Sequence, residues 1–117
     1  MEAFPRFLLE DHVSCGTMSG LAAGPNVFNH ALGTPPRGYR AYLVNTGATD
    51  GGWTSGNEYH GPLFTDTAGN PAFSLDFTRT TFSVIWTGVA LRLVNKTSGA
   101  AFNSNTGRWE LRFFLWA

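Results

Sequence analysis

Along residues 108–117, Trp109, Leu111, Phe113 and Leu115 share one parity, and Arg108, Glu110 and Arg112 hold the other until Phe114 and Trp116 take it over. A two-residue period is that of a β-strand. This strand is expected to begin half-exposed and to become apolar on both faces, so Phe114 and Trp116 need a cover. The same period recurs upstream. Residues 38–46 set Tyr39, Ala41 and Leu43 against Arg40, Tyr42 and Val44, which predicts a buried strand. Residues 63–67, the turn Ala68-Gly69-Asn70-Pro71 and residues 72–78 predict a hairpin, with Phe73, Leu75 and Phe77 opposing Ser74, Asp76 and Thr78. Residues 81–87 point Phe82, Val84 and Trp86 inward. Gly88 then marks a tight turn or a bulge, and Val89, Leu91 and Leu93 carry the pattern on to Asn95.

The first third is less regular. Residues 4–10 put Phe7 and Leu9 on one parity, with Pro5 confining the start to a sheet edge or an arm. Residues 14–25 are small, with Gly16, Gly20 and Gly24 recurring every four, and read as a flexible or closely packed segment. Residues 26–32 are the single helix candidate, with Asn26 as N-cap, an apolar face of Val27, Phe28, Ala31 and Leu32, and Gly33 at the C-terminal stop. Two long polar loops, 47–61 and 96–107, leave their strands through similar exits, Leu43-Val44-Asn45-Thr46 and Leu93-Val94-Asn95-Lys96. Loops of that length are commonly functional. Short strands punctuated by turn signals predict an all-β fold, an antiparallel β-sandwich or jelly roll with long Gly-rich loops and at most one short helix. At 117 residues the chain is expected to form a single domain, 1–117, with residues 1–37 available as an N-terminal arm.

Composition narrows the kind of surface. Only 14% of residues are charged, against about 25% in an ordinary domain, Lys96 is the one lysine, and the net charge is zero. Such a surface offers little mutual repulsion and favours association, here into a homo-oligomer or a larger particle. Nucleic acid is not an expected partner, because the eight basic residues are scattered among eight carboxylates and form no stripe. Cys15 has no second cysteine to pair with and is expected to be a small buried hydrophobe. Glu2 and Pro5 interrupt the N-terminal stretch, which therefore does not read as a secretion signal, and no run approaches the ~20 apolar residues of a membrane-spanning helix. Synthesis and first folding in the cytosol of the producing cell are the expectation.

No catalytic motif stands out, and no cofactor is expected. Glu58 and His60 flank Tyr59, but their spacing matches no zinc or calcium loop, so no metal site is expected. Asp66-Thr67-Ala68-Gly69 lacks the uninterrupted Asp-Thr-Gly of aspartic proteases and reads as turn chemistry, and neither a nucleophile elbow nor a phosphate loop is present. Asn95-Lys96-Thr97 matches a glycosylation sequon, read as coincidental without a secretion signal. Two groups of residues remain. Trp53, Tyr59 and His60, with Asn57 and Asp50, join aromatic faces to short polar groups in the way that suits a sugar ring, although a large aromatic in a loop more often pins that loop. Phe114 and Trp116, with Phe4 and Phe7 of the arm, are the candidate assembly contacts.

In its Gly/Thr/Asn-rich loops, scarce lysine, single cysteine and terminal aromatic strand the chain resembles the small all-β virion structural proteins of tailed bacteriophages. The resemblance is one of texture over most of the chain and assigns no residue. It implies a non-enzymatic structural protein on a virion surface, as a head-decoration, tail or fibre component, with copies of itself or other virion proteins as partners. The alternative is a carbohydrate-binding, lectin-like module that takes a surface glycan on the 47–61 loop.

Overall fold

A computed structural model describes residues 13–60 and 65–117. The expected strand at 4–10, with Phe4 and Phe7, lies outside the described residues, as does the first part of the 63–67 strand. The described residues form, in order, β1 (Val13–Met18), β2 (Gly24–Asn29), β3 (Gly38–Asn45), β4 (Glu58–Tyr59), β5 (Thr65–Asp66), β6 (Phe73–Phe77), β7 (Thr81–Trp86), β8 (Leu91–Val94), β9 (Ala101–Asn103) and β10 (Trp109–Trp116). They make a four-stranded sheet in the order β1-β10-β3-β4 and two three-stranded sheets, β2-β7-β6 and β5-β8-β9. Every ladder between them is antiparallel. A 3-10 turn, Thr106–Arg108, precedes β10. No helix among the described residues is long and apolar enough to cross a membrane.

The terminal strand has a strand on each side. β10 pairs with β1, setting Cys15 opposite Phe114, and with β3, setting Tyr42 opposite Arg112. Its odd-numbered residues Trp109, Leu111, Phe113 and Leu115 are buried, as the alternation requires. Phe113 meets the ring of Phe28 from β2 edge-on at 4.8 Å and that of Phe82 from β7 at 4.8 Å. Phe82 stacks on Phe77 of β6 at 5.3 Å. This seam joins the inner face of the four-stranded sheet to that of the β2-β7-β6 sheet. Each such aromatic pair is worth ~0.5–1.5 kcal/mol beyond the area it buries. Gly16 of β1 makes the seam possible: a Cβ there would stand 2.7 Å from Phe28 Cε1 and 2.9 Å from Phe113 Cζ.

Four local expectations are corrected. The hairpin expected over 63–78 does not form as a ladder: β5 pairs with β8 and β6 with β7, in different sheets, and the turn between them is closed by one bridge, Thr65 to Pro71. Residues 26–32 are not a helix; Gly24–Asn29 is a strand paired with β7 along its length. A two-turn helix is marginal alone, and pairing with β7 packs Phe28, partly buried, against the core while leaving Val27 in solvent. The Asn26 amide does not cap a helix but clamps the strand entry, donating to the carbonyls of Ala22, Gly24 and Val84 and accepting from the Ala22 N–H. The small-residue stretch begins as regular structure, because Val13–Met18 is β1. Cys15 is exposed rather than buried, since its parity in β1 is that of the outer face. Gly88, with φ +88, closes a tight turn that Trp86 holds through its indole N–H to the Val89 carbonyl at 3.1 Å, and the chain changes sheet between β7 and β8.

Phe82→Ala is expected to lower unfolding free energy by ~3–5 kcal/mol. Gly16→Ala, which adds one methyl to the seam, is expected to cost ~1–3 kcal/mol. Urea denaturation followed by circular dichroism checks both, and a cost for Gly16→Ala near zero would show that the seam yields freely.

Candidate functional site

The two similar strand exits are built the same way and lie side by side. Asn45, fully buried at the end of β3, donates its amide to the carbonyls of Ala48 and Trp53 and accepts the Gly47 N–H, so one side chain shapes the start of the loop. Asn95, just past β8, accepts the N–H groups of Thr97 and Ser98 and the Thr97 hydroxyl on its Oδ1. Short polar side chains of this kind can satisfy backbone donors where no ladder does. The loops then lock together. Lys96 N–H donates to the Gly51 carbonyl, the Trp53 indole N–H to the Val94 carbonyl, and the Val94 N–H to the Tyr59 hydroxyl. The Phe102 ring seats on Gly51, where any Cβ would collide with it and where φ is +55.

Four of the five glycan candidates meet in this knot. Trp53, Tyr59 and Trp109 approach one another edge-on with centroids 5.2 to 6.4 Å apart. Asp50 Oδ2 accepts the Trp109 indole N–H and the Asn105 N–H, each at 2.8 Å. Asn57 Oδ1 accepts the Thr54 N–H, the Thr54 hydroxyl and the Lys96 ammonium, and Lys96 Nζ lies 5.5 Å over the Trp53 ring. The hydrogen-bonding atoms of Asp50, Trp53, Asn57 and Tyr59 named here are therefore directed at the chain itself. Trp53 is half-buried against the core and pins the loop.

His60 stands apart, because Tyr59 turns inward in β4 and its neighbours turn outward. It belongs to the outer face of the four-stranded sheet. There it stacks on Tyr42 at 4.5 Å, accepts from Arg40 on Nδ1 at 3.1 Å, and meets Glu58 with Nε2 at 2.8 Å. Since a guanidinium can only donate, this network assigns the ring proton to Nε2. Tyr42 also lies 6.2 Å from Phe114. Arg112 donates through Nε and a terminal nitrogen to Glu110 Oε1 at 2.9 and 2.7 Å, and the Ser19 hydroxyl donates to the other oxygen at 3.1 Å. The Glu110 hydrogen bond raises the Arg112 pKa above its ordinary value.

Amid these charges lies an apolar shelf. Phe114 and Trp116 are 40% and 42% exposed, yet both are placed. The Trp116 indole lies on Gly38 of β3, its cross-strand neighbour, and occupies the space a side chain there would fill. Aromatic side chains and arginine with little lysine are the composition of a protein interface. The pattern of β10 alone pointed to Phe114 and Trp116. Tyr42, Arg40, Gly38 and Cys15 join them only through the strand register, and no sequence motif marks them.

No three His, Cys, Asp or Glu side chains converge to hold a metal among the described residues. An apolar cavity of about 230 Å³ lies against β6 and β7, lined by Pro71, Ala72, Phe73, Ser74, Ile85, Trp86 and Thr87, without a titratable group. Comparison with protein-family models, curated proteins and solved structures finds no match to this chain.

Asn45→Ala removes from a buried position the donor to the Ala48 and Trp53 carbonyls and the acceptor of the Gly47 N–H, and is expected to cost ~1–3 kcal/mol of stability, with faster amide exchange in residues 46–57. Gly38→Ala is expected to displace the Trp116 ring while the fold persists. The Trp116 indole resonance in a nitrogen-15 spectrum reads this directly, and an unmoved resonance would contradict the packing described.

Proposed function

We propose that this chain is a non-enzymatic structural subunit of a symmetric assembly, a virion surface protein of a tailed bacteriophage serving as a head-decoration, tail or fibre component. The aromatic seam supports a sandwich of jelly-roll type as its scaffold. The observation that carries the assembly reading is the pair Phe114 and Trp116: two large aromatics held in place on an outer sheet face, next to Tyr42 and His60 and bordered by the Arg112–Glu110 ion pair. A preorganised aromatic patch loses little side-chain freedom when a partner covers it. A surface of zero net charge does not resist that partner, whether another copy or a neighbouring virion protein. Carbohydrate binding at the 47–61 loop is the weaker reading, because the hydrogen bonds of Trp53, Tyr59, Asn57 and Asp50 serve the loop knot.

Sedimentation velocity of the purified chain over a hundredfold range of concentration tests this reading. Association is expected, together with a shift of Phe114→Ser/Trp116→Ser toward smaller species and an unchanged circular dichroism spectrum. A wild-type chain that stays monomeric throughout would sink the proposal. Particle proteomics tests the location: the chain should co-purify with intact virions at a fixed copy number.

A further inference from the structure

A sheet ends in a row of unpaired N–H and C=O groups, and folded proteins blunt such edges with charge, proline or brevity. Nearly every sheet edge here is blunted. β4 and β5 are two residues long and carry Glu58 and Asp66, and β9 is three residues long. β2 contains Pro25, and β6 carries Asp76. β1, Val-Ser-Cys-Gly-Thr-Met over Val13–Met18, has six residues with neither charge nor proline.

The ladder shows which groups it leaves open. The Thr46 N–H donates to the Arg108 carbonyl in register with the β3–β10 pairs, so the even-numbered residues of β10 bond to β3. By antiparallel alternation the odd-numbered ones bond to β1, at Ser14, Gly16 and Met18. The backbone N–H and C=O groups of Val13, Cys15 and Thr17 therefore point away from the sheet. Their side chains lie on the outer face, opposite Trp116, Phe114 and Arg112.

We infer that β1 is a contact strand between copies: it pairs antiparallel with β1 of a second copy across a two-fold axis at Cys15, joining two four-stranded sheets into one. The inference rests on the assembly reading and names its partner and its edge. A second copy fits this edge because self-pairing sets each strand against its own residues, and a charge near the axis would meet its like; β1 has none. Paired side chains must share a face, which places the axis on a residue. Centring it on Cys15 sets Val13 opposite Thr17 of the second copy, engages all three open backbone positions, and brings Phe114 of each copy toward one continuous outer surface.

Hydrogen exchange of the wild-type chain, read residue by residue by NMR, is the direct test. The Cys15 and Thr17 amides should exchange at least tenfold more slowly in concentrated than in dilute solution. Thr17→Pro removes an N–H that no described residue accepts in the monomer, and Cys15→Lys sets two ammonium groups face to face. Each should weaken association at least tenfold with an unchanged circular dichroism melt, while Cys15→Ser retains it. If the wild type associates but its Cys15 and Thr17 amides exchange at a rate independent of concentration, and both variants associate as tightly, the β1 contact is overturned and the assembly reading stands. Loss with Thr17→Pro and Cys15→Lys but not with Phe114→Ser/Trp116→Ser would keep the β1 contact and overturn the aromatic one. Absence of association overturns both.

Discussion

Phe113 packing between Phe28 and Phe82 is the contact on which the rest depends. It ties the interior strand of the four-stranded sheet to the β2-β7-β6 sheet, and it does so where Gly16 lets β1 pass close over the rings. Because β10 is ordered by neighbours on both edges and by this seam on its inner face, its backbone is fixed, and its outer side chains settle on the neighbouring strand, Trp116 on Gly38 and Phe114 beside Tyr42. The exposure of Phe114 and Trp116 is a consequence of that support. A loosely held strand could turn those rings inward. This one cannot, since the inner positions are filled by Leu111, Phe113 and Leu115.

The loops are ordered by a different means. With few apolar residues to bury, 46–57 and 95–105 rely on asparagine side chains that satisfy backbone groups and on an aromatic cluster around Trp53. Buried polar groups of this kind stabilise only when every partner is present, as they are around Asn45. The knot has a consequence for function. Residues whose chemistry suits a sugar are engaged as structural members, while the face built by β1, β10 and β3 carries exposed aromatic and guanidinium groups.

Strands whose side-chain parity is clean are legible in the sequence alone: β3, β6, β7 and β10 fall where alternation places them, because a two-residue period is local and survives any choice of neighbour. The likeness of the two Leu-Val-Asn exits is legible as well, although not its meaning, since nothing local says that the two loops touch. β2 and Cys15 mislead for one reason. A short apolar pattern such as that of residues 26–32 suits a helix face or a strand, and pairing with β7 decides between them. A small apolar thiol suits an interior, and only the register of β1 against β10 turns it outward.

The terminal stretch contains both halves of this lesson. Its sequence alone determined that Phe114 and Trp116 would lie on the opposite face from Phe113 and Leu115, because alternate side chains of a strand must diverge. Tertiary structure decided what that second face would be. Only the order β1-β10-β3-β4 brings Tyr42, His60 and Arg40 beside it, and only the pairing of Trp116 with Gly38 gives the indole a seat. Strand order is set by which sheets can close around a shared core, a property of the whole chain that no ten-residue pattern contains.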